Sequence, residues 1–203
     1  MMIVSSQPVS PAAPLSRRDQ ILAAAAELFA RHGFHGVGID DIGAAVGISG
    51  PALYRHFRSK DAMLGEMLTS ISELLLDGGQ AIAARHGTGT DAGPGDLLGE
   101  LVGFQVDFAL DNPALITVQE RNLGNLTDPD RRRVRALQRR YVEVWVQAIR
   151  DVVRDVDEPS ARAAAHAVFG LINSTPHSRH IDRGEMAALL RRMALAALLG
   201  QRE

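Results

Sequence analysis

The residues best suited to contact another molecule lie in one stretch near the N-terminus. From Val46 to Asp61 the sequence reads VGISGPALYRHFRSKD, so that a tyrosine, a histidine and three cations follow a glycine-containing turn. A core helix does not need so many hydrogen-bond donors, whereas cationic and hydroxyl donors are the groups that contact nucleic-acid phosphates. This segment therefore favours nucleic-acid binding over a purely structural role.

Signatures of catalysis and of metal binding are missing from the sequence. It has no cysteine, which excludes a cysteine nucleophile and thiolate metal sites. It also lacks the HExxH, GxSxG and phosphate-loop motifs, and its glycine-rich patch GTGTDAGPG has no following Lys-Ser or Lys-Thr. His177 and His180, with Asp182 nearby, are too few ligands for a metal site. We predict no enzyme, no cofactor and no metal.

Composition and charge set only broad limits. A hydrophobic content of 46% is typical of a folded protein. Residues 1–60 carry six cations and four acids, and the remainder 16 cations and 20 acids, which is too weak an asymmetry to support DNA binding by itself. The apolar runs are too short to span a bilayer, so we expect a cytoplasmic protein that does not bind membranes. Residues 1–15, with three prolines and no cation, are predicted to be a disordered tail.

Helical periodicity recurs along almost the whole chain. The apolar spacing, the capping residues and the prolines predict an all-α fold of about nine helices. After a first helix between Ser16 and Gly33, the helices are expected at residues 39–46, from 50 onward, 59–84, 96–110, 113–123, 129–154, 159–175 and 184–199. Residues 16–60 are predicted to form a three-helix DNA-binding domain, and residues 61–203 a larger helical domain.

The helix-turn-helix motif is predicted from the short helices on either side of Gly47-Ile48-Ser49. Ser49 is placed to cap the second helix, whose N-terminus would favour a phosphate. Spacing alone leaves a generic helical hairpin as an equal alternative. The whole run RDQILAAAAELFARHGFHGVGIDDIGAAVGISGPALYRHFRSKDAML, however, resembles the N-terminal domain of the TetR family of bacterial transcriptional regulators.

The resemblance implies a homodimer that reads a near-palindromic DNA operator, most often as a repressor, and responds to a small effector. Members of the family usually carry Thr or Ser at the position of Gly38 and often Lys or Arg at the position of Gly50. Asp40 could read a cytosine amino group or repel phosphate. The predicted DNA-binding residues are Arg17, Arg18, Gly38, Ser49, Gly50, Pro51, Ala52, Tyr54, Arg55, His56 and Lys60.

The dimer is expected to form through the last two helices, as the resemblance implies. The last helix has a suitable apolar stripe, although the same stripe could simply cover the core of the monomer. Its members are Met186, Leu189, Leu190, Met193, Ala197 and Leu198.

An effector pocket is expected between the central helices, where polar side chains interrupt apolar faces. For the histidines and phenylalanines among them, an ordinary structural role is the competing interpretation. The candidate ligand-binding residues are Phe104, Phe108, Gln119, Asn122, Arg140, Tyr141, Trp145, His166, Asn173 and His177.

The class of effector is open between two chemistries. The segments FQVDFALDNPALITVQERNL and QRRYVEVWV are similar to family members that control fatty-acid and branched-chain acyl-CoA breakdown, which implies an acyl-CoA. A multidrug-type regulator of lipophilic cations is the alternative, and it would need more acids and aromatics than the nine aromatic residues present. A helical dimer without DNA specificity is a third possibility, and the salt and sequence dependence of DNA binding would distinguish it.

Overall fold

The fold consists of helices joined by short turns. The computed structural model describes residues 16–87, 94–153, 155–177 and 180–200, so the predicted tail and most of the glycine-rich loop lie outside the described residues. Within those residues there are nine α-helices and two 3₁₀ turns, without a strand. The helices are α1 Arg17–His32, α2 Ile39–Ala45, α3 Gly50–Leu53, α4 Lys60–Gly87, α5 Pro94–Asp111, α6 Pro113–Asn122, α7 Asp128–Val152, α8 Glu158–Asn173 and α9 Arg183–Leu199, and the 3₁₀ turns are Leu123–Asn125 and Thr175–His177. The predicted all-α class is confirmed.

Most helix boundaries follow from capping chemistry in the sequence. The side chain of Ser16 accepts a hydrogen bond from the amide of Asp19, and those of Thr127 and Asp157 cap α7 and α8 in the same way. Gly33 and Gly47 adopt φ values of 75° and 70°, which residues other than glycine rarely adopt. These two glycines turn the chain after α1 and between α2 and α3.

The helices form two units. Helices α1, α2 and α3 form a small unit, here called the head, around the buried side chains of Phe29, Ile42 and Leu53. Helix α4 leaves the head and packs along α7, and α5, α8 and α9 complete a larger unit, here called the body. Helix α6 packs against α1, so the head meets the body through both α4 and α6.

A pair of glycines in the middle of α4 permits close packing of the body. A Cβ atom on Gly78 would collide with the ring of Phe104, and one on Gly79 would lie 2.7 Å from the ring of Tyr141. Glycine in a helix interior costs about 1 kcal/mol relative to alanine. The aromatic rings of α5 and α7 gain direct contact with the α4 backbone in exchange.

No helix among the described residues combines the length and the apolarity that a transmembrane segment needs.

Candidate DNA-binding surface and effector pocket

Residues 49–57, here called the recognition segment, begin with the single helical turn α3 and continue as tight turns. The Ser49 hydroxyl accepts a hydrogen bond from the amide of Ala52 (3.4 Å), as the sequence predicts. After Leu53 the backbone continues with i to i−3 bonds, such as the 2.9 Å bond from the His56 amide to the Leu53 carbonyl. The segment is anchored because Leu53 and Phe57 are buried.

This anchoring turns the remaining side chains toward solvent. Tyr54 is 56% exposed, so its ring and hydroxyl are accessible to another molecule. Pro51 and Arg55 are also exposed, and Arg55 has no hydrogen-bond or ionic partner among the described residues. Of the other predicted contacts in this segment, Ser49 is exposed, and Ala52 and His56 are half-buried. These residues share one surface, and their contacts with DNA stay a prediction.

Lys60, one of the predicted phosphate contacts, makes hydrogen bonds inside the head. Its Nζ donates hydrogen bonds to the carbonyl oxygens of Phe34 (2.7 Å) and Val37 (2.8 Å) and lies 4.5 Å from the centre of the Phe34 ring. The ammonium group therefore stabilises the loop between α1 and α2. Its charge is used inside the head, where two carbonyls would otherwise lack a donor.

Arg18 and Arg17 also have partners within the protein, and their contacts with DNA stay a prediction. Arg18 donates to both carboxylate oxygens of Glu66 on α4 and to the carbonyl of His56, and its guanidinium lies 4.0 Å above the Phe57 ring. The hydrogen bond with Glu66 raises the pKa of Arg18 above its ordinary value. Arg17 donates to the carbonyl of Val46. Both side chains stay partly exposed, but their guanidinium groups are engaged in holding the head together.

The two glycines that depart from the family pattern differ in their surroundings. Gly50 is buried, although it is among the predicted DNA-binding residues, and a Cβ there would collide with the Asp40 carboxylate. Asp40 thus lies against the start of α3, where we expected a phosphate. Gly38 is exposed, and its amide donates to the Asp41 carboxylate (2.8 Å).

Inside the body, a chain of neutral polar groups crosses the core. The hydroxyl of Tyr141 donates to the side-chain oxygen of Gln105 (2.9 Å), and the Gln105 amide donates to the side-chain oxygen of Asn173 (3.3 Å). Burial raises the pKa of Tyr141 above its ordinary value. Trp145 is fully buried next to this chain, and its indole N–H has no acceptor in hydrogen-bond geometry. Phe169 closes the cluster, with its ring centre 4.9 Å from that of Trp145.

An open pocket of about 790 Å³ lies between α4, the start of α5 and α7. Apolar side chains such as Val144 and Leu97 line it, and Arg140 stands at its edge without an ionic partner among the described residues. The nearby Glu143 is already paired with Arg162 (2.6 Å), which lowers the pKa of that carboxyl. The pocket is therefore lined by one cation and one acid, Arg140 and Asp151, that have no ionic partner among the described residues.

The predicted effector residues divide into two groups. Tyr141, Trp145 and Asn173 come together in the core, Phe104 is half-buried against α4, and Arg140 is at the open pocket. Of the other five, Phe108 lines a separate 440 Å³ pocket between α1, α4 and α6, Gln119 is half-buried on α6, and Asn122 bonds its own helix. His166 and His177 are exposed, and the His166 ring centre lies 6.5 Å from that of Phe169, at the edge of the core cluster. The structure therefore does not bring all ten residues into one pocket, and their contacts with an effector stay a prediction.

Gln105 is the residue that the sequence interpretation missed. It is the single amide in the run LVGFQVDFAL, and it is only 2% exposed. A lone polar residue in an apolar helix must find partners when it is buried. That signal was present in the sequence, but it did not reveal that the partners lie on α7 and α8.

The stripe on α9 divides between the core and the surface. Met186, Leu190 and Leu198 are buried within the chain itself. Met193 is 45% exposed, and Ala197 is also exposed. Leu189 is half-buried against the core. Three of the six residues of the stripe therefore cover the monomer core, and the dimer contact of the stripe stays a prediction.

Comparison with known proteins agrees with this architecture. Residues 21–67 match the description "Bacterial regulatory proteins, tetR family", and residues 91–177 match "Tetracyclin repressor-like, C-terminal domain". The chain is 40% identical to the HTH-type transcriptional repressor KstR2 of Mycolicibacterium smegmatis over 68 residues, which is 34% of this chain and 33% of that protein. It is 50% identical to the transcriptional activator FasR of the same organism over 44 residues, 22% of this chain and 20% of that protein.

The solved structures extend the likeness to the whole fold, whereas the matches to the curated relatives span a third or less of those proteins. A TetR-family transcriptional regulator from Bordetella parapertussis superimposes with a TM-score of 0.78 at 26% identity, over 90% of this chain and 93% of that one. The two domain matches, the helix order and the recognition segment all agree. This chain belongs to the tetR family of bacterial regulatory proteins and is a transcriptional regulator.

Proposed function

We propose that this protein is a cytoplasmic repressor that binds a palindromic operator as a homodimer and is released by a small lipophilic effector, an acyl-CoA. The observation that carries the DNA-binding part is the exposed pair Tyr54 and Arg55. Both side chains extend from a turn whose neighbours Leu53 and Phe57 are buried, so the pair is held rigidly at the surface. Arginine and tyrosine side chains contact both base edges and phosphates.

Dimer formation is proposed through α8 and α9. The exposed part of α9 includes Met193 and Ala197, and Gly170 on α8 has no atom within 4 Å of the position of a Cβ. Small side chains let helices of two protomers approach closely. A two-fold dimer would present two recognition segments to successive major grooves, which is why we expect a palindromic operator.

The proposal that the effector is an acyl-CoA rests on the open pocket beside α7. Its apolar lining suits an acyl chain, and the unpaired Arg140 at its edge suits the anionic end of a coenzyme A ester. A lipophilic cation would instead pair with an acid there. Of the two acids that line the pocket, Glu143 is paired with Arg162, whereas Asp151 has no cationic partner among the described residues. The apolar lining and the guanidinium of Arg140 support an acyl-CoA, and a multidrug-type cation held by Asp151 is the alternative.

A mobility-shift experiment with the DNA upstream of the protein's own gene tests the proposal. We expect a specific complex that resists scrambled competitor DNA, weakens steeply with salt and dissociates with one member of an acyl-CoA panel. Arg140→Gln should weaken the response to the acyl-CoA while leaving operator binding unchanged. If no specific complex forms at any salt concentration, the regulator acts on another site or the chain is a helical dimer without DNA specificity.

The direction of regulation needs a separate measurement, since one relative is a repressor and another an activator. A reporter gene placed behind the bound DNA should be expressed more strongly when the regulator is deleted. Lower expression in the deletion strain would identify an activator.

A further inference from the structure

A chain of hydrogen bonds connects the head to the body without a residue of α4. His35, in the loop between α1 and α2, lies with its Nε2 3.2 Å from the side-chain oxygen of Asn125. The Asn125 amide donates to the side-chain oxygen of Asn122 (2.9 Å), and the Asn122 amide donates to the carbonyl of Val118 (3.0 Å). The chain thus runs from the head to the corner between α6 and α7.

The direction of every bond in this chain is fixed by its last member. A backbone carbonyl can only accept, so the amide nitrogen of Asn122 faces Val118 and its oxygen faces Asn125. The amide nitrogen of Asn125 is then used as well, and its oxygen faces His35. His35 must therefore donate from Nε2, which both the Nε2–H tautomer and the imidazolium can do.

The two ends of the chain differ in burial. Asn122 is only 4% exposed and is held within the body, whereas His35 is exposed on a loop of the head. On its other side the same loop is held by Lys60, through the carbonyls of Phe34 and Val37. The loop that leads into α2 is thus fixed at two points, one at the start of α4 and one at the α6–α7 corner.

We propose that His35 is a positioning residue through which the α6–α7 corner orients the DNA-reading head. This inference rests on the proposed DNA binding and adds to it a link that does not pass through α4. Holding the loop in place reduces the freedom that the head must lose when it docks on DNA, so the link favours operator binding. His35 touches no DNA in this role, and it acts only through the orientation of the head.

Hydrogen exchange on the free protein tests the link without DNA. Asn125→Ala should increase the exchange rate of backbone amides in residues 33–46, although the substitution lies in the body. His32→Ala is the matched control, because His32 is an exposed histidine of the same region without a partner among the described residues. Unchanged exchange in residues 33–46 of the Asn125→Ala variant would overturn the inference.

A double-mutant cycle then tests its consequence for DNA. His35→Ala and Asn125→Ala should each lower operator affinity by about two- to tenfold, and the double variant should be no weaker than the weaker single one. His35→Gln, which keeps a side-chain donor, should restore most of the affinity. Additive losses, higher affinity or failure of the glutamine rescue would contradict the positioning role. If the wild-type protein binds no operator at all, the proposed function fails, and the exchange experiment still decides whether the link exists.

Discussion

The head and the body stabilise their polar groups in opposite ways. In the head, the cations of Arg17, Arg18 and Lys60 donate to backbone carbonyls at the ends of short helices and in loops. In the body, the buried polar groups are neutral, and the hydroxyl of Tyr141 and the amide of Gln105 bond each other. Short helices leave many carbonyls without donors, and long side chains from the surface can reach them. A core between long helices has few such carbonyls and would penalise a charge.

This difference has a consequence for DNA binding. Because three of the cations near the recognition segment are engaged within the head, Arg55 and Arg58 are the ones left without partners among the described residues there. Arg55 and Arg58 should therefore account for much of the salt dependence of operator binding.

The largest effect is expected from disturbing the close packing of the body. Gly79→Val should lower the free energy of unfolding by about 3 kcal/mol, because the new side chain would meet the Tyr141 ring. Gly99→Ala in α5 is the control, since no atom lies within 4 Å of its Cβ position, and it should raise stability by up to about 1 kcal/mol. Urea unfolding of both variants measures the difference. Equal stabilities would show that the close contact of α4 with α7 contributes little.

Removing a cation from the head should have the next largest effect. Lys60→Met keeps the aliphatic stem but loses the two hydrogen bonds to Phe34 and Val37, so we expect a loss of about 2 kcal/mol together with weaker operator binding. Arg58→Ala, which removes an unpaired cation, should weaken operator binding without changing the melting temperature. If Lys60→Met lowered only DNA affinity, the phosphate contact expected from the sequence would be correct after all.

Alkaline pH should weaken the body through Tyr141. Burial raises the folded-state pKa above the unfolded value, so the unfolded chain loses its proton first as the pH rises. The stability from this group is complete below the ordinary tyrosine pKa and falls above it by about 1.4 kcal/mol per pH unit until the folded pKa is reached. Tyr141→Phe should make stability less dependent on pH in that range. An identical slope in the variant would show that Tyr141 is not the group responsible.

The smallest effect concerns the two glycines of the head. Gly38→Ser should change stability by only a few tenths of a kcal/mol, because the Cβ position is 3.3 Å from the Asp41 carboxylate and needs little adjustment. The added hydroxyl should raise operator affinity by roughly two- to fivefold through a phosphate contact. Gly50→Ser should displace the Asp40 carboxylate at a similarly small cost in stability, because the exposed Asp40 side chain can rotate away from the new Cβ. Fluorescence anisotropy with labelled operator compares the two variants.

Local chemistry made most of the fold predictable from the sequence. Ser16, Ser49 and the prolines in the first helical turns identify helix starts, and Gly33 and Gly47 identify the turns, because each acts on its immediate neighbours. The binding sites were harder to predict from the sequence. A cation that contacts a phosphate and a cation that bonds a carbonyl are the same residue type in the sequence, and only the distance from Lys60 to Val37 separates them. The three-residue chain through Gln105 likewise depends on which helices become neighbours.

The most direct test measures operator affinity and thermal stability of a variant that carries both Tyr54→Ala and Arg55→Ala. Because these side chains are exposed and the head is held by other residues, we expect affinity to fall by at least about tenfold with no change in Tm. A lower Tm with the same loss would mean that the exposed pair also supports the head. Unchanged affinity would contradict the placement of the DNA-binding surface on this turn.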